Sequence, residues 1–198
     1  MKKLRYSASD ITLIAALTAC NSVLELSVGN LLHVIGFSLK GSVMVGLNLL
    51  VYVLLFSRLR RFGAVTMCGF ATAFVNYAIT GGFKLFALYC IVLEALAIDL
   101  ILSAGGINRK STCLAGTAAG ILAFLCGLIN GVIFMGGDFS AVCRRLSQLG
   151  PAGGWSLAAV LLFVIVSRTA IGVLFGLLSL QVLKITEPIL KKFSSKKG

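Results

Sequence analysis

Six long apolar runs, near residues 10–28, 42–57, 62–80, 84–103, 112–135 and 155–184, take up most of this chain, and its basic residues collect in the gaps between them. A helix of about 20 apolar residues crosses the roughly 30 Å hydrocarbon core of a bilayer. Inside that core every backbone N–H and C=O must find a partner within the protein, which leaves helices and closed barrels as the spanning structures. Barrel strands are short segments of alternating polarity, whereas these runs are continuous and long, so the pattern predicts helices. Composition agrees: 59% of the 198 residues are hydrophobic and 12% are charged, against roughly 45–50% and 25% in a soluble domain. So few charges cannot cover a surface facing water. The expected fold is an all-α integral membrane protein, a single domain of six transmembrane helices over residues 1–198, with no room for a soluble catalytic domain.

The basic clusters alternate in size. Lys2, Lys3 and Arg5 form one, Arg58, Arg60 and Arg61 the next, then Arg109 and Lys110, then Lys184, Lys191, Lys192, Lys196 and Lys197; the intervening gaps hold only Lys40, Lys84 and the pair Arg144 and Arg145. This is the positive-inside distribution of a multi-pass cell-membrane protein, as in a bacterial plasma membrane, with both termini cytoplasmic. Residues 1–9 and the basic tail 185–198 then lie inside. The formal net charge of +12 would suggest nucleic acid in a soluble protein. Here it anchors loops against anionic lipid, and no nucleic-acid partner is expected. The first run carries Asp10, Asn21 and Glu25 and no small-x-small cleavage site, so it reads as a retained helix and not as a signal peptide.

Two long external loops are expected. Residues 29–41 (GNLLHVIGFSLKG) are apolar, bracketed by glycines, and hold Asn30, the lone His33, Ser38 and Lys40. Such a segment re-enters the membrane edge or folds over a cavity. Residues 136–154 have glycine at both ends and contain Asp138, Arg144, Arg145 and Gln148, the pattern of a movable lid. An ordinary surface connection is the competing reading of both.

Polar residues within the spans are informative because each costs free energy in hydrocarbon. Glu94 and Arg168 fall at depths of roughly 15 and 20 Å at 1.5 Å per residue, so they either pair or face a polar cavity. Asp99 lies about 140° round the helix from Glu94 and reaches toward the cytoplasmic interface. Asn21 and Glu25 share a face of the first helix. Asn48, Asn76, Tyr77 and Asn130 add donors and acceptors, mostly in the outer half. Singly, each is better read as a hydrogen bond between helices. Together with Glu94 they outline a site open to the outside. Small residues four apart, Ala15 and Ala19, Gly116 and Gly120, Gly127 and Gly131, Gly172 and Gly176, allow close backbone approach within the bundle or to a partner.

Catalytic constellations are missing. One histidine denies the chain a two-histidine metal site or a nucleophile–base pair. The six cysteines form no CxxC and read as small apolar fillers, so neither metal nor cofactor is expected. Gly154-Trp155-Ser156 has no histidine in a later helix to make a protease serine of Ser156. Arg109-Lys110-Ser111-Thr112, after Gly105-Gly106, lacks the glycine before Lys110 that a phosphate loop requires. The chain is therefore not expected to be an enzyme, and uphill transport must draw on an ion gradient or on partner subunits.

The size, six spans, cytoplasmic ends, long first and last external loops and the Ala15-x-x-x-Ala19 spacing together resemble the substrate-binding S components of energy-coupling factor (ECF) transporters, ABC-type importers of micronutrients. The resemblance implies a subunit that captures a vitamin-like small micronutrient outside and releases it inside when a transmembrane coupling subunit and two ATPase subunits drive it. In that family the ligand is held by the fourth to sixth helices and covered by the first and last external loops. Glu94, Asn130 and Arg168 thereby become cavity candidates, with Asn76 beside them; Asn30, His33 and Lys40 become lid candidates; Ala15 and Ala19 become the docking face for the coupling subunit. Lys2 stands where the family's cobalt and nickel branch has histidine, which disfavours metal as cargo, and a single tryptophan, Trp155, does not make an aromatic pocket of the thiamin type. Two other classes stay open: a stand-alone proton-coupled secondary carrier with Glu94 and Asp99 relaying protons, and a non-transporting membrane scaffold in which the polar groups only join helices.

Overall fold

The computed structural model describes residues 6–34, 40–80, 85–134, 136–138, 140 and 156–194; the side chains of 33, 34, 40, 85–87, 134 and 187–194 lie outside the described set. Among the described residues there are six helices and no strand: α1 (Ala8–Val34), α2 (Lys40–Leu59), α3 (Ala64–Ile79), α4 (Leu85–Gly105), α5 (Arg109–Phe134) and α6 (Leu157–Ser194). All but α3 are long and apolar enough to cross a membrane. The outer surface matches: Phe74, Ile79, Leu162 and Val166 are each more than half exposed. In water such patches drive association; against lipid tails they cost nothing.

Helix α2 is the axis of the bundle. It packs against every other helix, and α1, α3, α4, α5 and α6 follow one another round it, each beside the next. The core is built on its Leu49, Tyr52, Val53 and Leu55, which are almost wholly buried.

The end bearing Arg58, Arg60, Arg61, Arg109 and Lys110 is tightly closed. Ser7 and Asp10 cap α1 reciprocally: the Ser7 hydroxyl accepts the Asp10 N–H at 3.2 Å, and the Asp10 carboxylate accepts the Ser7 N–H at 3.0 Å. Arg61 lies 3.8 Å from Asp10, and the Tyr6 hydroxyl donates to the Phe62 carbonyl, so the start of α1 is tied to the turn between α2 and α3. Helix α3 has no cap of its own, because Gly63 at its N-cap has φ 92° and no side chain. The cap comes from α4. Asp99 accepts the Gly63 N–H (2.8 Å), the Thr66 N–H (3.0 Å) and the Thr66 hydroxyl (2.8 Å), satisfying orphan donors at the positive end of the helix dipole. Asn108 caps α5 by accepting the Ser111 N–H at 2.9 Å. The stretch with a partial phosphate-loop look is thus a helix-to-helix turn.

The glycine spacings of α5 and α6 meet each other. A Cβ on Gly116 or Gly172 would collide with the backbone of the other, and one on Gly176 would lie 2.8 Å from Cys113. This close approach sets the antiparallel register of the two helices.

The expected loop over 29–41 is corrected by α1, which continues through Gly29–Val34, and by α2, which starts at Lys40. A backbone that stays helical keeps its polar groups paired at the membrane edge, and nothing between Gly29 and Val34 breaks the helix. Residues 35–39 lie outside the described set. Helix α6 likewise continues through the expected tail to Ser194, and α1 already begins at Ala8. Of the expected lid over 136–154, Gly136 and Gly137 form a left-handed turn with φ 67° and 87°; Arg144, Arg145 and Gln148 lie outside the described residues.

Candidate binding cavity

A cavity of about 410 Å³ occupies the end of the bundle opposite the basic clusters, within the roughly 300–1,000 Å³ of small-molecule sites. Five helices contribute one stripe each: Glu25, Leu26, Gly29 and Asn30 from α1; Gly41, Met44 and Val45 from α2; Ala73, Asn76, Tyr77 and Thr80 from α3; Leu88, Cys90, Ile91 and Glu94 from α4; Ala123, Gly127 and Asn130 from α5. Spacings of three and four place each set on one helix face. Among the described residues the wall comes from α1 to α5, α4 and α5 included, while α6 adjoins it through Arg168 beside Gly41.

Glu94 is the more buried of the two carboxylates in the wall. It is 6% exposed and has no hydrogen-bond partner among the described residues. The fields of Glu25 and Arg168 both reach it. Glu25 accepts a 2.7 Å hydrogen bond from the Asn48 amide, which orients Asn48 and leaves its buried Oδ1 without a partner. Asn76 lies in the wall with its own Oδ1 buried and unpartnered. Asn130 accepts from the Tyr89 hydroxyl at 2.9 Å, and Asn30 donates to the Leu26 carbonyl of its own helix at 2.6 Å. Deeper in, the Asn21 amide donates to Tyr52 and Thr72 at 3.2 and 3.4 Å, joining α1, α2 and α3.

Arg168 stands behind the wall. It donates to the Gly120 carbonyl at 3.0 Å, its guanidinium carbon lies 5.4 Å from the Phe124 ring centre, and a Cβ on Gly41 would be 3.7 Å from it. No ion pair joins it to Glu94. His33 falls in the last turn of α1 and Lys40 opens α2, but their side chains, proposed for a lid, lie outside the described set. Ala15 and Ala19 are exposed on the outer face of α1, away from the cavity.

Tyr89, Gly41, Cys90 and Gly127 were not foreseen from sequence. The spacing of four between Cys90 and Glu94 was a usable signal. Gly127 had the look of a packing glycine, yet a Cβ there meets nothing within 4 Å because it faces the cavity. Among the described residues no three His, Cys, Asp or Glu side chains converge as metal ligands. The wall offers a buried carboxylate, a second carboxylate and several amides around apolar surface, an arrangement suited to holding a ligand. Fold and cavity define a helical bundle of membrane type with a mainly apolar cavity at one end, into which a few polar side chains project. No family model, curated protein or solved structure matches this chain.

Proposed function

We propose that the chain is the membrane-embedded substrate-binding subunit, the S component, of an ECF-type importer in a bacterial plasma membrane, with its basic end in the cytoplasm. The observation that carries this reading is Glu94, buried in the wall of the 410 Å³ cavity without a hydrogen-bond partner among the described residues. An ionisable group left unsatisfied at membrane depth is costly and marks a ligand site. A small micronutrient enters from outside. Release inside is driven by a coupling subunit and two ATPase subunits, the chain itself performing no chemical step. Ala15 and Ala19, exposed on α1, offer the close-approach surface for the coupling subunit.

The test is uptake in cells with and without the coupling subunit, together with native mass spectrometry of the purified chain to recover its ligand. Removing the coupling subunit abolishes uptake and leaves binding intact. Uptake that persists unchanged rejects the assignment.

Two carboxylates in one cavity, Glu25 and Glu94, favour a second reading as a stand-alone proton-coupled carrier. Asp99 is committed to three donors at the other end, so a relay would run between Glu25 and Glu94. Collapse of uptake by a protonophore at constant ATP separates this reading from the first.

A further inference from the structure

Two cysteines that no spacing in the sequence joins meet in the fold. Cys90 on α4 is half-buried and lines the cavity. Cys126 on α5 is 3% exposed and is not one of the wall residues. The two thiols share a hydrogen bond across the contact of the helices, and neither is in a disulfide. Cys68 meets the Thr18 hydroxyl instead, and Cys113 the Val173 carbonyl. Tyr89, next to Cys90, fixes the register in which the pair meets: its hydroxyl lies 3.4 Å from the Cys126 carbonyl and donates to Asn130 at 2.9 Å, one turn further along α5. Thiols in hydrogen-bond contact need chiefly a rotation of their side chains to reach the roughly 2.05 Å of an S–S bond. Exchange with a disulfide takes two sulfurs, one that attacks the reagent and one that resolves the mixed disulfide. The geometry supplies both, since Cys90 is open to a molecule in the cavity, while Cys126 is screened from it and touches Cys90.

We propose that Cys90 and Cys126 form a thiol–disulfide exchange site in the cavity wall, which accepts a small-molecule disulfide from the cavity and ends as a covalent bond between α4 and α5. In the first step Cys90 loses its proton and bonds to one sulfur of the reagent, whose other half leaves and takes up a proton as a thiol. In the second step Cys126 loses its proton and attacks the Cys90 sulfur, expelling the remaining half as a second thiol. The two protein thiols are oxidised by two electrons, and the reagent disulfide is reduced to two thiols. The product ties together the walls that carry Glu94 and Asn130, so oxidation fixes the shape of the cavity. In the orientation proposed above the cavity faces the exterior, where disulfides persist; the source of the oxidant rests on that reading, and the pairing of the thiols does not.

The probe is dipyridyl disulfide, whose released thiopyridone is followed by absorbance, added to the purified full chain in lipid nanodiscs at neutral pH. Peptide mass mapping locates the products. Unfolding without reagent checks that Cys90→Ser, Cys126→Ser and Gly127→Phe are folded. In the unmodified chain the expected product is a Cys90–Cys126 disulfide, the pair having lost two hydrogens and released two thiopyridones. The unfolding temperature rises with the cross-link and returns when a reductant is added. Cys126→Ser stops at one thiopyridyl group on Cys90, and Cys90→Ser leaves Cys126 unreacted. Gly127→Phe fills the cavity from a position where an added side chain meets open space, and it slows the reaction of Cys90 about tenfold or more as access is lost. A thiopyridyl group that stays on Cys90 in the unmodified chain, or no reaction at either cysteine, overturns the site. A disulfide that forms at the same rate in Gly127→Phe overturns the cavity as the route of entry. Failure here leaves the transport reading to the coupling-subunit experiment, which alone decides it.

Discussion

Asp99 and Glu94 lie on the same helix, one turn and a half apart, and serve opposite ends of the bundle. Asp99 is 0% exposed and accepts three hydrogen bonds from the start of α3. Glu94, nearly as buried, accepts none among the described residues. The surroundings differ in the same sense. Around the basic end the helices are capped, tied and, at Gly116 and Gly172, packed backbone to backbone. Around Glu94 there is a cavity, with Asn48 and Asn76 oxygens lacking partners and a glycine, Gly127, facing open space. Burial therefore does not separate a structural acid from a binding one; the donors aimed at it do. Each unsatisfied buried group costs about 1–3 kcal/mol of stability, which a ligand bearing the missing partners recovers.

The largest effect that probes this contrast is Asp99→Ala. Uncapping α3 and stranding three donors should cost about 3–5 kcal/mol, seen as a fall in unfolding temperature in detergent, with Asp99→Asn losing less because it keeps one acceptor oxygen. A next step compares glycines. Gly172→Leu, which must push α5 and α6 apart, should cost about 1–3 kcal/mol, whereas Gly127→Ala should stabilise the chain by about 0.5–1 kcal/mol through helix propensity. Equal losses at the two positions would erase the distinction between a packed end and an open one.

Glu94→Gln should move stability in the opposite direction from Asp99→Asn, raising the ligand-free unfolding free energy by about 1 kcal/mol because an ionisable group no longer has to be buried. A loss as large as that of Asp99→Asn would make Glu94 a structural group. Smallest of all, Ala15→Trp combined with Ala19→Trp should leave the isolated chain within about 0.5 kcal/mol of its original stability, since both sites are exposed, while co-purification with the proposed coupling subunit is lost.

The helices themselves were legible from the apolar runs. Those expected over 42–57 and 112–135 are observed as Lys40–Leu59 and Arg109–Phe134, extended at their starts by a lysine, an arginine and other residues that are polar yet compatible with a helix. The run over 29–41 misled because its glycines suggest a loop, whereas neighbouring helical turns hold Gly29 in regular conformation against Met44. Glu94 announced itself as an acid in hydrocarbon, and Asn76, Asn130 and Asn30 as amides in the same half. Their meeting with Glu25 round one cavity, and the withdrawal of Arg168 behind Gly41, were not written in any local pattern. Nor was the fate of Asp99, which depends on Gly63, a residue 36 positions away.

By itself the sequence determined that this chain is a set of apolar helices with one basic end, because partition into a bilayer follows transfer free energies that add along the chain. Only the tertiary structure decided which polar groups close on one another and which face an open cavity. That outcome depends on the rotation and register of each helix, set by contacts between distant residues such as Gly116 and Gly172, and no single segment carries that information.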